Sequence, residues 1–382
     1  MKLIYISPLR YPSEKAGSLF SMKSCEAFAA EGLEVELWAP RRFNKLYRED
    51  PFLYHGVKKN FRIVRLPVID LTPWMPSYFI MAASLAISVF CYALWRRMGG
   101  ALYYSHEEFA LFLLTFISKR TVYEIHDFPP QRFFYRWLLR RVYAIVATNN
   151  WKKNKLIELF HYTPERILAV LNAVNVNQFA VSISREEARV KLKLPLDEKI
   201  ALYTGHLYAW KGADTLLEAS QLLPAGCMVY FVGGTDNDVE EFKIKNGKLK
   251  MKNNVVIVGH RPHEEIPFWL KAADVLVLPN TAKEDISKYY TSPMKLFEYM
   301  AAERPIVASD LPSVREVADE TMVWFFQPDV AESLAKTIQQ VIENSDAALR
   351  TQAAFAAVKQ YKWEKRARRI VQFFSQLDEK LS

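Results

Sequence analysis

The stretch "KIALYTGHLYAWKGADTLLEA", residues 199–219, decides the fold. Lys199–Thr204 is a short, mostly apolar run that stops at Gly205, the pattern of a buried strand. From Ala213 onward, apolar residues return at helical spacing. A strand that passes through a glycine turn into a helix is half of a βαβ unit, and a βαβ unit requires a parallel sheet. Gly205 permits the tight turn. His206 lies at the strand end, and Lys211 stands just before Gly212, where the helix begins. A helix start carries partial positive charge and exposed amides, so an anion at this point would meet both the amides and Lys211.

The same alternation runs outward in both directions. Upstream, strands are predicted at "KLIYIS", "EVELWAP", "FRIVRLP", "ALYYSH", "TVYEIHD" and "AIVATN"; downstream, at "CMVYFVGG", "NVVIVGH", "DVLVLPN", "PIVASD" and "TMVWFF". Helical patterns lie between them, beginning with "GSLFSMKSCEAFAAEG". The expectation is an α/β chain of two doubly wound, Rossmann-like domains facing across a cleft, with ligands beyond the carboxyl ends of the strands. The segment "VNQFAVSISREEARVKLKLP" reads as the linker between the two sets.

Composition narrows the classes. With 382 residues, 51% of them apolar, the chain is long enough for two cores and is not disordered. The three cysteines, Cys25, Cys91 and Cys227, have neither paired nor metal-like spacing, which fits a reducing compartment. The opening "MKLIYIS" reads as a strand, not as a signal peptide. Charge is lopsided: residues 1–180 hold 24 Lys and Arg against 14 Asp and Glu, whereas the remainder is nearly balanced. The first half therefore expects an anionic partner.

Two segments bear on membranes. Leu71–Trp95 carries no charge and is long enough to span a bilayer, but Pro73 and Pro76 and its place inside a strand–helix series favour a buried or interface-lying helix. "PPQRFFYRWLLRRVY" places Arg132, Arg136 and Arg140 on one helix face among Phe133, Phe134 and Trp137. That suits an anionic membrane surface, or equally a surface helix with core-packed rings. No nucleic-acid module accompanies it, so nucleic acid is not expected as a partner.

Other strand ends carry further candidates. Gly233 and Gly234 let a ligand approach the backbone; Asp236 and Asp238 behind them read as a solvated loop and not a metal site. The turn Gly259–Pro262 brings Arg261 and backbone groups within reach of a base. "YYTSPMKLFEYMAAERPIVAS", residues 289–309, reads as a helix with Ser292 as N-cap and Pro293 at its first position. Free amides at Met294 and Lys295 then offer an anion site, and Glu298 can accept hydrogen bonds from a ribose diol. In the first half, Gly17 lies in the loop after the first strand, and His126 ends the strand "TVYEIHD". These pieces converge on a nucleoside diphosphate with a group attached. A nicotinamide dehydrogenase is disfavoured, because no G-x-G-x-x-G follows the first strand.

With those residues in view, the chain resembles the retaining glycosyltransferases of family 4, which have the GT-B fold. The resemblance rests on "TGHLYAWKGADTLLEA", "DVLVLPN", "KLFEYMAAERPIVASDLPSVREV", the segment Asn172–Phe179 and the final "YKWEKRARRIVQFF". It implies a nucleotide-sugar domain over 181–363 and an acceptor domain over 1–180, onto which a terminal helix, 364–382, packs back. It implies His126, Lys211 and Glu298 as catalytic residues. Gly17, Gly205, His206, Lys211, Gly233, Arg261, Ser292, Met294, Lys295 and Glu298 would bind the donor, with no metal or cofactor required. It further implies transfer of a sugar from a UDP- or GDP-type donor, with retention, to a lipid-linked or cell-surface glycan in polysaccharide biosynthesis, on the cytoplasmic face of the membrane. Two departures stand out: His206 replaces the usual arginine, and Tyr290 stands where the family often has a glutamate. They keep open a divergent or non-catalytic GT-B protein, epimerase- or phosphorylase-like, that binds a nucleotide sugar.

Overall fold

The computed structural model describes residues 1–13, 15–71, 78–98, 100–246, 254–344 and 347–381. Its chain divides into two compact units, residues 1–171 with 363–382, and residues 172–362.

In the first unit the apolar runs become seven parallel strands: β1 (Lys2–Ile6), β2 (Glu34–Arg41), β3 (Arg62–Pro67), β4 (Leu102–Ser105), β5 (Thr121–Ile125), β6 (Ala144–Ala147) and β7 (Ile167–Ala169). They lie in the order β3-β2-β1-β4-β5-β6-β7. In the second unit β8 (Lys199–Thr204), β9 (Cys227–Val232), β10 (Val255–Gly259), β11 (Val275–Leu278), β12 (Ile306–Ser309) and β13 (Trp324–Phe326) lie in the order β10-β9-β8-β11-β12-β13. Each is the doubly wound order in which the sheet grows outward from its first strand in both directions. The crevice between the diverging halves, at β1/β4 and at β8/β11, is where such sheets bind ligands. The central strands are nearly continuous runs of buried residues, as a sheet covered on both faces requires.

One element differs from the sequence reading. The expected linker contains a helix, Arg185–Leu192, that packs on the Ile266–Ala272 helix. Ser184 and Glu187 close a reciprocal cap at its start, and the buried Arg189 reaches Asp274 (2.5 Å) and the carbonyl of Ala272 (2.9 Å). The high charge of the segment hid a helix that is held by polar anchors, not by an apolar stripe. Of the uncharged stretch 71–95, residues 72–77 lie outside the described residues; the rest is one helix, Tyr78–Trp95, with Met81, Leu85 and Val89 in the core of the first unit.

The last helix, Trp363–Leu381, belongs to the first unit and packs on the Ala16–Ala30 helix. Ile370 and Phe374 are fully buried. Trp363 meets Phe20 edge-on at 5.2 Å, and Asp378 accepts hydrogen bonds from Arg120 and Tyr143. At the centre Arg366 pairs with the fully buried Glu124 of β5.

Candidate functional site

Three strand ends of the second unit finish in glycine. Gly205, Gly233 and Gly259 all have positive φ, of 118°, 123° and 77°, which L side chains rarely adopt. They continue the sheet by one step: the Gly205 amide donates to the Val232 carbonyl and the Gly233 amide to the Gly259 carbonyl, both at 2.8 Å. A side chain on Gly233 would place its Cβ 2.6 Å from the Gly205 oxygen. The result is a bare backbone shelf at the carboxyl ends of β8, β9 and β10.

The turn Ala209–Lys211 folds from β8 toward the segment that follows β11. Gly212, at φ 70°, lies so close that a Cβ there would sit 1.8 Å from the Pro279 oxygen. This contact fixes Lys211 at the switch point of the sheet, with its ammonium 3.7 Å above the Trp210 ring.

Lys295 and Glu298 arrive from the Met294–Ala301 helix. The Lys295 chain runs over Gly205, occupying the space that a Cβ would take, and its ammonium donates to the Tyr203 hydroxyl at 2.8 Å. Tyr203 in turn donates to the His206 carbonyl at 2.5 Å. The three charges sense one another. Burial pushes the Glu298 carboxyl up to about 7, against the pull of Lys295 and Lys211. Burial brings Lys211 down to about 8, opposed by Glu298. Lys295 falls well below the usual lysine range, through burial and then the neighbouring Lys211 charge. Two cations and one carboxylate kept in a poorly hydrated place form an anion site with one acceptor beside it, and such perturbed groups cluster where ligands bind.

Ser292 does not cap the helix, contrary to the sequence reading. The cap residue is Pro293, with no side-chain bond, and the helix begins at Met294. The Ser292 hydroxyl instead accepts from the Asn172 amide at 2.9 Å, and its carbonyl from the Asn172 side chain at 3.4 Å. A tertiary partner has claimed the hydroxyl, which leaves the first helical turn without a protein side chain on its amides. Tyr290 ends a π-helical turn, Ile286–Tyr290, just upstream.

His206 is half exposed, stacked on Tyr208 at 4.8 Å and bound through Nδ1 to Asp238 at 2.8 Å. Asp238 also exchanges hydrogen bonds with Thr235 at the start of the Asp236–Asn246 helix. Burial works against the Asp238 charge, but the His206 and Thr235 bonds hold its carboxyl below the usual range. Arg261 stands apart from the lysine–glutamate group. It is exposed, 4.0 Å from Glu265, on a pocket that it shares with Lys191, Lys193, Phe268 and Trp269. Among the described residues, no group of three His, Cys, Asp or Glu could hold a metal ion.

Gly17 and His126 belong to the first unit. Gly17 lies in the first turn of the Ala16–Ala30 helix, not in the loop before it, because the helix starts one residue earlier than its apolar pattern suggests. A Cβ there would stand 2.9 Å from Leu9, so the small residue lets the β1 loop lie against the helix. His126 follows β5, edge-on to Phe20 at 4.9 Å and to His106 at 5.3 Å, with Nε2 3.5 Å from Glu124. Burial lowers His106 to about 4. Burial alone would raise Glu124, but the Arg366 charge and the His126 and Tyr104 contacts hold it far below its ordinary value.

Sequence reasoning missed Tyr203 and Tyr299, and it placed Asn172 only within a family segment, without its bond to Ser292. Tyr203 seats Lys295. The Tyr299 hydroxyl accepts from the Thr204 amide (2.9 Å) and shares a second hydrogen bond with the Thr204 hydroxyl (3.2 Å), tying the Met294–Ala301 helix to the end of β8. Both tyrosines sit in runs that read as core, and only the neighbouring Lys295 and Glu298 mark them.

Residues 184–360 match the family described as Glycosyl transferases group 1. D-inositol 3-phosphate glycosyltransferase 1 of Catenulispora acidiphila is 30% identical over 176 residues, 43% of this chain and 40% of that protein. A putative teichuronic acid biosynthesis glycosyltransferase, TuaC, of Bacillus subtilis is 28% identical over 155 residues, 41% of this chain and 36% of its own length. The matched region thus spans about two fifths of these curated relatives. Among solved structures, sucrose-phosphate synthase from Thermosynechococcus elongatus superimposes with a TM-score of 0.79 at 20% identity, covering 99% of both chains. HepE of Anabaena, in complex with UDP and glucose, gives 0.74 at 18% identity, covering 98% of this chain and 99% of its own. Strand order and the superposition agree on the GT-B fold, and residues 184–360, a little under half of the chain, match the group 1 glycosyl transferases.

Proposed function

We propose that the protein transfers a sugar from a nucleoside-diphosphate donor to an acceptor hydroxyl, with retention of the anomeric configuration. The observation that carries this reading is the convergence of Lys211, Lys295 and Glu298 beside the glycine shelf. HepE, of the same fold, is known with UDP and with UDP-glucose, which supports a donor of that class.

In this reading the diphosphate lies over Gly205 and Gly233 against Lys211, Lys295 and the amides of Met294 and Lys295, and the ribose hydroxyls donate to Glu298. The acceptor oxygen bonds to the anomeric carbon as the bond from that carbon to the diphosphate oxygen breaks, on the same face of the sugar. The acceptor proton passes to the departing diphosphate. The two lysines stabilise the negative charge that grows there, so the chain's part is chiefly electrostatic and needs no metal ion. Arg261 and the 259–262 turn are assigned to the base, and the strand ends that carry His126 to the acceptor. The surplus of positive charge in residues 1–180 supports an acceptor at an anionic membrane surface, a lipid-linked glycan intermediate on its cytoplasmic side.

Thermal unfolding with UDP, GDP, ADP, TDP and CDP, on wild type and Glu298→Ala, tests the reading. One base should raise the midpoint of the wild type and lose most of that effect in the variant. No shift with any of the five would overturn it.

A further inference from the structure

The Tyr78–Trp95 helix is predominantly apolar, and no charged residue lies between Asp70 and Arg96. One side is used, with Met81, Leu85 and Val89 packed in the core that Ile4, Ile6 and Trp38 share. The other side is not. Phe79 is 75% exposed, Ile87 59% and Trp95 74%, with Ile80 and Leu94 exposed beside them. Ile80, Ala83, Ile87, Cys91 and Leu94 share one exposed face of the helix, with Phe79 and Trp95 at its two edges, so the apolar stripe runs along its whole length. Single exposed apolar residues need no explanation, but a continuous stripe does.

A bilayer crossing does not fit. At about 27 Å the helix has nearly the required length. Its inner face, however, is anchored on the sheet, and leaving would strip the Ile4–Trp38 core. A second copy of this chain fits poorly too. Arg96 and Arg97 follow the helix at once, and no acidic residue occurs from 71 to 106. A chain of rings, Phe79–Phe109–Phe134, links the stripe to the Phe133–Arg141 helix, where Arg132, Arg140 and Phe133 are exposed. The other rings of that helix face inward: Trp137 lies 4.5 Å from Phe112, and Phe134 5.2 Å from it. Two such basic rims would repel each other, whereas an anionic surface would be drawn to both arginine groups.

We propose that the outer face of the Tyr78–Trp95 helix lies in the plane of an anionic membrane, its apolar stripe at the acyl boundary and the flanking arginines on lipid phosphates. This deepens, and rests on, the reading above that the protein works at a membrane. It moves the docking element from the basic Phe133–Arg141 helix to the uncharged one.

Cys91 gives a direct probe, because it is exposed on the helix while Cys25 and Cys227 are buried. Wild type labelled at Cys91 with an environment-sensitive fluorophore is mixed with vesicles of phosphatidylcholine, alone or with phosphatidylglycerol. A blue shift is expected with the anionic vesicles only. In co-sedimentation of unlabelled protein, Ile87→Glu should weaken vesicle binding at least about tenfold, with an unchanged melting midpoint, since that side chain is already exposed. Retention of the nucleoside-diphosphate shift in Ile87→Glu shows that the donor site is intact, so the two readings fail separately. No blue shift, undiminished vesicle binding by Ile87→Glu, or a concentration-dependent dimer that Ile87→Glu dissolves would each overturn the proposal.

Discussion

Glu298 and Lys211, two of the three interacting charged groups of the proposed donor site, give donor binding a pH dependence on either side of neutrality. Glu298 can accept from a ribose diol only when ionised, and its carboxyl is pushed up to about 7. Free protein below pH 7 holds a proton that must leave on binding, so affinity should fall as pH falls. For one group at about 7, the weakening factor is roughly 11 at pH 6 and 1.1 at pH 8, about a tenfold change or 1.4 kcal/mol. Lys211, down at about 8, discharges on the other side. A diphosphate would then have to draw the proton back, so affinity should also decline above about pH 8. The result is a maximum between pH 7 and 8. Isothermal titration with an intact nucleotide sugar reads this cleanly, because its diphosphate has no terminal oxygen that titrates near pH 6, as a phosphomonoester does. Glu298→Gln should remove the acidic limb and leave the alkaline one. Wild-type affinity that stays flat from pH 6 to 8, or an acidic limb that survives in Glu298→Gln, would refute the assignment of Glu298.

Arg366→Met should leave Glu124 buried without its partner, at about 3–5 kcal/mol, or a midpoint lower by roughly 6–20 °C for the unit that contains it. The Glu124 pKa is depressed in the fold, so the stability of the pair is present above the unfolded carboxylate value and lost as pH falls through the folded one. In the variant the carboxylate protonates more readily, so calorimetry at pH 8 and pH 5 should show a smaller deficit at pH 5; an equal or larger deficit would contradict this. Gly212→Ala forces a Cβ onto the Pro279 carbonyl from a left-handed backbone, at a strain of about 1–2 kcal/mol before any clash. It should displace the Lys211 turn and cut nucleoside-diphosphate affinity about tenfold or more, and unchanged affinity would show that the turn does not hold the ligand.

The sheets were legible in the sequence, because buried parallel strands must be apolar along their length and each ends at a turn residue. Gly205, Gly233 and Gly259 announced themselves for the same reason. The Arg185–Leu192 helix was hidden by its charge, although Ser184 and Glu187 stand at the spacing of a reciprocal cap. Ser292 misled because a serine before a proline looks the same whether it caps its own helix or serves a distant amide. Asn172, which takes its hydroxyl, lies 120 residues away. The Arg366–Glu124 pair spans 242 residues, and no local pattern foretells such a partner. Lys295 and Glu298 could be placed near an anion from their helix alone. That Lys295 lies across Gly205 and rests on Tyr203, 92 residues away, is a contact which no local pattern encodes.

The helix that closes the first unit is also the last part of it to be made. Residues 363–381 leave the ribosome only after 172–362 have been synthesised, and at about 5–20 residues per second that interval is roughly 10–40 s. Through this interval the sheet built from residues 1–171 holds Glu124 without Arg366, and the bed of Ile370 and Phe374 lies open to solvent. The nascent first unit therefore waits as an unfinished half, with an apolar groove that chaperones can recognise, and the second unit can complete its own sheet before it. A fusion or tag that delays the final helix would prolong that vulnerable stage without touching a single residue of the shelf.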